Sequence, residues 1–440
     1  MSEQYIVSPT SRIFGKINVP GDKSISHRSL ILLSISQGTS KISGLLESDD
    51  CISTLNICQL LGVDIKKQSN GDYTVKGQGL FGLKEPKRNL DCGNSGTSMR
   101  LLAGLLCGQK FSSCLIGDES LTKRPMERIL IPLQLMGGKI HLSKNNTAPI
   151  NIDAAQKISP IIYQMPIDSA QIKSSIILAS LYAKKTTKVI ENNATRDHTE
   201  NMINFLGGNI ETENKIITIN PCEKLISKDI NIPGDISSAM FIIVGCLISE
   251  KSEVTICNVG LNKFRTGALE ILKMMGAKIE IKNVNNIGPE ITGDIFVYSS
   301  KLKGISIPSK YVASAIDEFP IIFIAAANAS GKTILKNAEE LKYKESNRLE
   351  VMSKGLKKCG IANDLYDDGI EITGGNFEGG LVDSCGDHRV AMSFAIAGIV
   401  SKKDIHILNT DNVSTSFPAF YNLVKKMGLN IKRVKSWEHL

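Results

Sequence analysis

Met274-Met275-Gly276-Ala277-Lys278-Ile279-Glu280-Ile281-Lys282 is the stretch on which the fold turns. It reads as the last turn of a helix, then a glycine, then a strand. A glycine just past a helix end takes the left-handed conformation that a Cβ-bearing residue resists. Beyond it, Ala277, Ile279 and Ile281 recur with the period of two that marks a half-buried strand. The same signal recurs at Leu60-Leu61-Gly62-Val63-Asp64-Ile65, Leu135-Met136-Gly137-Gly138-Lys139-Ile140 and Phe205-Leu206-Gly207-Gly208-Asn209-Ile210. It recurs again at Lys358-Cys359-Gly360-Ile361-Ala362-Asn363 and Lys426-Met427-Gly428-Leu429-Asn430-Ile431. From glycine to glycine the gaps are 75, 70, 69, 84 and 68 residues, a regularity that points to six units of about 70 residues. The fifth copy is the weakest, because Ala362-Asn363-Asp364 blurs the alternation.

Within a unit the order reads strand, helix, strand, helix ending at the glycine, then a strand pair. This βαβαββ repeat is too long for a solenoid of small repeats, and six copies divide most simply into two globules of three. The expected fold class is therefore α/β, with two globular domains of three repeats each. Two similar turns, Pro20-Gly21-Asp22 and Pro233-Gly234-Asp235, mark the crossings. They assign 22–234 to a first domain, and 1–21 with 235–440 to a second.

Composition narrows the class. Of the 440 residues, 42% are apolar and 22% charged, as in a globular protein. Residues 1–20 carry no hydrophobic signal region, and the longest uncharged apolar runs, 236–249 and 319–331, fall short of the roughly 20 residues that span a bilayer. They read as buried core helices. Ten cysteines form no CxxC pair, which suits reduced thiols in a cytoplasmic protein. The net charge of +8 reads either as the basic surface of a lysine-rich protein or, more sharply, as a sign of an anionic partner. With only 5% aromatic residues and no continuous basic stripe, a small polyanion is expected and nucleic acid is not.

Polar clusters stand where loops should turn into helices. Gly21-Asp22-Lys23-Ser24-Ile25-Ser26-His27-Arg28 precedes an apolar run; a helix beginning near Lys23 would put Ser24 and Arg28 on one face. Free amides and the positive dipole end would face the same space, a cradle for oxyanions. Asp91-Cys92-Gly93-Asn94-Ser95-Gly96-Thr97-Ser98-Met99-Arg100, Leu121-Thr122-Lys123-Arg124 and Asp168-Ser169-Ala170-Gln171-Ile172-Lys173-Ser174 follow the same pattern. So do Asp317-Glu318-Phe319-Pro320, Lys344-Glu345-Ser346-Asn347-Arg348 and Asp387-His388-Arg389, with Lys344 and Arg348 spaced i, i+4. Only 11 arginines accompany 41 lysines, and Arg28, Arg100, Arg124, Arg196, Arg348 and Arg389 all lie at or near these starts. Arginine grips phosphate and carboxylate with a planar fork that lysine lacks. The pattern suggests a site for small phosphorylated acids, with Asp317 and Glu345 as candidate proton carriers. His27 and His388, beside arginines, read as positioned hydrogen-bonding residues rather than acid–base groups. Ser330-Gly331-Lys332-Thr333 ends like a nucleotide-binding P-loop, but Ala326 replaces the first glycine and a helix precedes it. Asp197-His198-Thr199-Glu200 lacks a second histidine nearby and reads as a first helical turn, not a metal site.

Taken together and in this order, from Val19-Pro20-Gly21-Asp22-Lys23-Ser24 to Ser416-Phe417-Pro418, the motifs resemble those of the 3-phosphoshikimate 1-carboxyvinyltransferases, the 5-enolpyruvylshikimate-3-phosphate synthases. The resemblance implies the enolpyruvyl transferase fold, an inside-out α/β barrel in each domain. It implies transfer of the enolpyruvyl group of phosphoenolpyruvate to the 5-hydroxyl of 3-phosphoshikimate, without cofactor or metal, in the shikimate pathway to chorismate and the aromatic amino acids. Carried over by position, Lys23, Ser24, Arg28, Ser169, Ala170, Gln171, Arg196, Asp317 and Lys344 would bind 3-phosphoshikimate. Lys23, Asn94, Gly96, Arg124, Gln171, Arg348 and Arg389 would bind phosphoenolpyruvate. Asp317 matches the base at the 5-hydroxyl, Glu345 the acid that protonates the methylene, and Lys23 completes the catalytic set. The first domain would mainly hold 3-phosphoshikimate, and the second would add acid–base and phosphoenolpyruvate residues. A cytoplasmic monomer, binding neither membrane nor nucleic acid, is expected.

Thr415, Leu101 and Glu340 depart from many members, which have lysine, proline and asparagine there; with Thr195–Glu200 they resemble the family's divergent second class. Gly96 is the type that leaves room for glyphosate, so inhibition by it is expected. Two rivals remain. UDP-N-acetylglucosamine enolpyruvyl transferases normally have a cysteine where this chain has Glu119 and an asparagine where it has Ser24. A non-catalytic anion-binding protein would have no need of both Asp317 and Glu345.

Overall fold

The computed structural model describes residues 3–286 and 288–435. The chain forms two compact units, one of residues 21–233 with 286–290, the other of residues 1–20, 234–285 and 291–440.

Each unit contains three small sheets, and the six sheets share one plan. In the unit of 21–233, Ile162–Gln164 pairs parallel with Thr187–Ile190, which pairs antiparallel with Ile216–Ile219, and that with Ile210–Glu213. Leu90–Asp91, Ser113–Ile116, Ile150–Ile152 and Ile140–His141 repeat the pattern. In chain order the strands run first, second, third, fourth; in space they run first, second, fourth, third. This is the βαβαββ repeat read from the glycines. The remaining sheet of this unit takes its first strand from far along the chain: Leu225–Ile226 and Ile230–Asn231 lie parallel to Ser36–Ser43.

The other unit closes in the same way. Phe14–Asn18 supplies the first strand beside Glu253–Gly260, and Glu3–Ser8 supplies the fourth strand between Ile405–Leu408 and Asn430–Lys435. The fifth repeat is the thinnest. Its sheet has three strands, and its first strand is reduced to parallel bridges at Lys303–Ser330 and Ser306–Ile334. The blurred segment nevertheless forms a strand, Asn363–Tyr366.

All six marker glycines, Gly62, Gly137, Gly207, Gly276, Gly360 and Gly428, have φ between 84° and 107°. Each ends an outer, half-buried helix. Six further helices, Lys23–Ser34, Gly96–Leu106 and Ala170–Ser180 in one unit, and Ile236–Ile248, Phe319–Ala327 and His388–Ala397 in the other, are buried almost all round. Helices inside and sheets outside make each unit an inside-out α/β barrel. Every buried Leu, Ile or Phe on an inner helix contributes about 1.5–3 kcal/mol to the core. Backbone approach is close: a Cβ on Gly104 would lie 2.1 Å from the carbonyl oxygen of Ser175 on the neighbouring inner helix.

The apolar runs are the inner helices Ile236–Ile248 and Phe319–Ala327, and no helix among the described residues is long and apolar enough to cross a membrane. The ten cysteines are free thiols. Lys332-Thr333 begins a strand after a helix, which rules out P-loop geometry.

Candidate active site

The inner helices begin where the polar clusters stand, and in each unit their first turns are linked. Asp22 caps the Lys23–Ser34 helix, its Oδ1 accepting the amide of Ile25 at 2.9 Å. Asp235 caps Ile236–Ile248 in the same manner through Ser237 N. The two Pro-Gly-Asp turns are therefore helix caps as well as crossings.

In the unit of 21–233, Lys23 Nζ lies 2.5 Å from Asp50 Oδ2. Arg28, 4% exposed, donates through Nε to Thr199 Oγ1 at 2.7 Å, through Nη1 to the Ser24 carbonyl at 3.0 Å and through Nη2 to Ser174 Oγ at 2.9 Å. Burial lowers its pKa to about 10, partly opposed by Glu200, so the guanidinium stays charged at neutral pH. Arg196 adds like charge from nearby. A buried cation held by hydroxyls and a carbonyl, with a second cation near it, is an arrangement that an anion completes.

Asn94 bridges Asp118 and Arg124: its Nδ2 donates to Asp118 Oδ2 and its Oδ1 accepts from Arg124 Nη2, both at 2.7 Å. Arg100 Nη1 donates to Gln171 Oε1 at 2.6 Å, and Gln171 Nε2 donates to Thr97 Oγ1 at 3.1 Å. Two inner helices thus meet at a candidate ligand residue. Gly96 lies beneath both arginines; a Cβ there would sit 2.8 Å from Arg100 Nη1 and 3.5 Å from Arg124 Nη1. Ser169 makes no capping bond at the start of Ala170–Ser180. Arg196 sits on a loop pinned from beneath by buried Lys173, whose Nζ is 2.7 Å from Glu200 Oε1 and 3.2 Å from Glu191 Oε1.

In the other unit Arg348 is the hub. Only 1% exposed, it donates through Nε to Asp387 Oδ2 at 2.9 Å and through Nη2 to Glu345 Oε2 at 2.6 Å. Its Nη1 lies 3.6 Å from Asp317 Oδ1 and makes no hydrogen bond to the described residues. Burial alone would lower the pKa of this guanidinium, but Asp387, Glu345 and Asp317 outweigh burial and raise it. For Asp387, burial would raise the pKa and Arg348 more than reverses that, so the carboxyl is held below its ordinary range. Lys344 Nζ is 3.5 Å from Asp317 Oδ1, and Arg389 Nη1 donates to the Asp317 carbonyl at 3.0 Å.

One expectation needs correcting. Lys344 and Arg348 do not share a helical face: Lys344 is extended, ψ −156°, after the turn Glu339–Tyr343, and Arg348 opens the next helix, capped by Asn347. They converge on Asp317 across a break in the helix. His198 does start a helix, His198–Phe205, and no metal-holding group of His, Cys, Asp or Glu occurs among the described residues. His27 is fully buried, its Nδ1 2.8 Å from Thr54 Oγ1. Burial, with Lys23 and Arg28, keeps its pKa well below the usual histidine range, as fits a positioned, neutral ring. Leu101 is a core residue, and Thr415 Oγ1 donates back to the Asn412 carbonyl at 2.7 Å.

Asp50, Thr199, Ser174, Asp387, Glu318, Ser237 and Arg265 support the site, yet the sequence pattern assigns none of them a role. Arg265 carried a signal, since it is one of the scarce arginines.

Known proteins align with this arrangement over almost its full length. A family model for EPSP synthase (3-phosphoshikimate 1-carboxyvinyltransferase) matches residues 7–424. A 3-phosphoshikimate 1-carboxyvinyltransferase of Methylococcus capsulatus is 46% identical over 428 residues, covering 97% of this chain and 98% of that protein. That of Legionella pneumophila strain Corby is 49% identical over 416 residues, covering 94% and 96%. The 2.37 Å structure of EPSP synthase from Acinetobacter baumannii superposes with a TM-score of 0.90 at 45% identity, covering 99% of this chain and all of that one. By family model, by relatives and by fold, the chain belongs to the EPSP synthase family.

Proposed function

We propose that the enzyme adds the 5-hydroxyl of 3-phosphoshikimate to C2 of phosphoenolpyruvate while the methylene carbon takes a proton. The tetrahedral intermediate then loses a proton from the new methyl group and expels phosphate by C–O cleavage, leaving 5-enolpyruvylshikimate 3-phosphate. This is the shikimate-pathway step toward chorismate and the aromatic amino acids, carried out by a cytoplasmic monomer.

The observation that carries the reading is the convergence of two carboxylates, Asp317 and Glu345, on the single guanidinium of Arg348. Protonating a carbon and activating an alcohol need an acid and a base held in fixed relation. Asp317 serves as base at the hydroxyl, with Lys344 beside it, and Glu345 serves as acid at the methylene. Arg348 and Arg389 hold the carboxylate and phosphate of phosphoenolpyruvate. From the unit of 21–233, Lys23, Ser24, Arg28, Ser169, Ala170, Gln171 and Arg196 hold 3-phosphoshikimate, and Lys23, Asn94, Gly96, Arg124 and Gln171 hold phosphoenolpyruvate.

Phosphate release from the two substrates, with no metal added, tests this in the unmutated enzyme, Asp317→Ala and Glu345→Ala. Turnover should fall roughly 100-fold or more in each variant. Wild-type rates in either variant would remove that residue from proton transfer. Release with UDP-N-acetylglucosamine in place of 3-phosphoshikimate would move the chain to the sister reaction.

A further inference from the structure

Glu318 is 1% exposed and charged by nature, and the reaction as derived has no task for it. Its Oε1 accepts a hydrogen bond from Ser237 Oγ and lies 3.6 Å from Arg389 Nη1, while its Oε2 has no hydrogen-bond partner among the described residues. Ser237 is itself directed. Arg265 Nη2 donates to Ser237 Oγ at 2.5 Å, and a guanidinium can only donate, so the one hydroxyl proton of Ser237 is left for Glu318. Arg265, 3% exposed, is anchored in turn at 3.2 Å by Asp235 Oδ1, the cap of the Ile236–Ile248 helix. A line of alternating charge therefore runs Asp235, Arg265, Ser237, Glu318, Arg389 across the first turns of three inner helices.

We propose that Glu318, with Ser237 and Arg265 behind it, is a positioning residue that sets the orientation of the Arg389 guanidinium for phosphoenolpyruvate. A tie serving only to join helices would need no buried charge with one oxygen left unpaired, an arrangement that costs stability. The cost is explained when the charge acts on a neighbouring cation. Arg389 is held on one side only: Nη1 donates to the Asp317 carbonyl and faces Glu318, and its other side-chain N–H groups make no hydrogen bond to the described residues. Glu318 and the Asp317 carbonyl fix that edge of the fork, and the opposite edge remains for an anion. Because Asp317 and Glu318 are adjacent, the same turn that sets the base also sets the arginine. The inference rests on the assignment of Arg389 to phosphoenolpyruvate.

A double-mutant cycle tests it. Glu318→Gln should raise the KM for phosphoenolpyruvate about tenfold, the effect of one charge-assisted contact, and leave the KM for 3-phosphoshikimate unchanged. In an Arg389→Lys background, which lacks the fork, the same substitution should change that KM less than about twofold. An equal factor in both backgrounds, or a parallel rise in both KM values, would overturn the proposal. Should Glu318→Gln not fold, Ser237→Ala cuts the line without removing a charge and carries the same cycle, with an expected rise of about threefold. An unmutated enzyme inactive with these substrates would overturn the assigned reaction and this inference with it. An active one with no coupling between Glu318 and Arg389 would overturn the inference alone.

Discussion

Two buried arginines show how much company matters. Arg28 rests on two hydroxyls and a carbonyl, while Arg348 rests among Asp387, Glu345 and Asp317. Burial weakens the hold of Arg28 on its proton, and carboxylates strengthen that of Arg348. Arg28 therefore gains most from an arriving phosphate, whereas Arg348 organises groups already present. The scarcity of arginine made both visible in the sequence; which one is already neutralised was not, because its partners lie up to 39 residues away. Gly96 invites a residue-scale prediction. A methyl group there must displace the Arg100 fork by several tenths of an ångström and crowd Arg124. Gly96→Ala should raise the KM for phosphoenolpyruvate by about tenfold, equivalent to roughly 1.4 kcal/mol, with the KM for 3-phosphoshikimate unchanged. Steady-state kinetics with each substrate varied in turn checks it, and an unchanged phosphoenolpyruvate KM would show that Arg100 and Arg124 do not shape that subsite.

At the level of elements, two glycines that look alike in sequence do different work. Gly207 ends an outer helix at φ 92°, and a methyl group placed there would meet nothing within 4 Å, so alanine suffers only the left-handed backbone. Gly104 sits inside an inner helix, where a Cβ would strike the Ser175 carbonyl. Urea unfolding should show a loss of about 1 kcal/mol for Gly207→Ala, and at least about 2 kcal/mol for Gly104→Ala. Similar losses would mean that the inner helices can separate without penalty. The contrast also marks what could be read beforehand. Six left-handed helix ends demand glycine, and their spacing reveals the repeat. The two Pro-Gly-Asp turns place 1–21 with 235–440, but the strand partners do not show: Glu3–Ser8 pairs with strands some 400 residues on, and Leu225–Ile226 with Ser36–Ser43, and no local pattern records such pairing. The spacing of Lys344 and Arg348 fits a helix and so misleads, because the chain breaks at that point and restarts with Asn347 as cap. Arg265, Ser237 and Glu318 went unassigned because a polar residue's identity does not reveal that it is buried.

For the molecule as a whole, the repeat explains where the chemistry lies. Six copies of one plan give six inner and six outer helices, and the starts of both sets carry the caps, the arginines and the carboxylates. The excess of positive charge, +8 overall, is in keeping with substrates that are both phosphorylated acids. In one unit the helix starts present mainly cations and amides; in the other, the starts of an inner and an outer helix add Asp317 and Glu345 around Arg348. In the reaction proposed, that difference between otherwise similar units supplies the acid and the base that a transferase needs. In the proposed transfer, phosphate leaves with the oxygen that joined it to carbon. Phosphoenolpyruvate carrying ¹⁸O in that bridge, incubated with the enzyme and 3-phosphoshikimate, should yield inorganic phosphate that retains the label, detected by mass spectrometry. Unlabelled phosphate would mean cleavage between phosphorus and oxygen, and would contradict enolpyruvyl transfer by this chain.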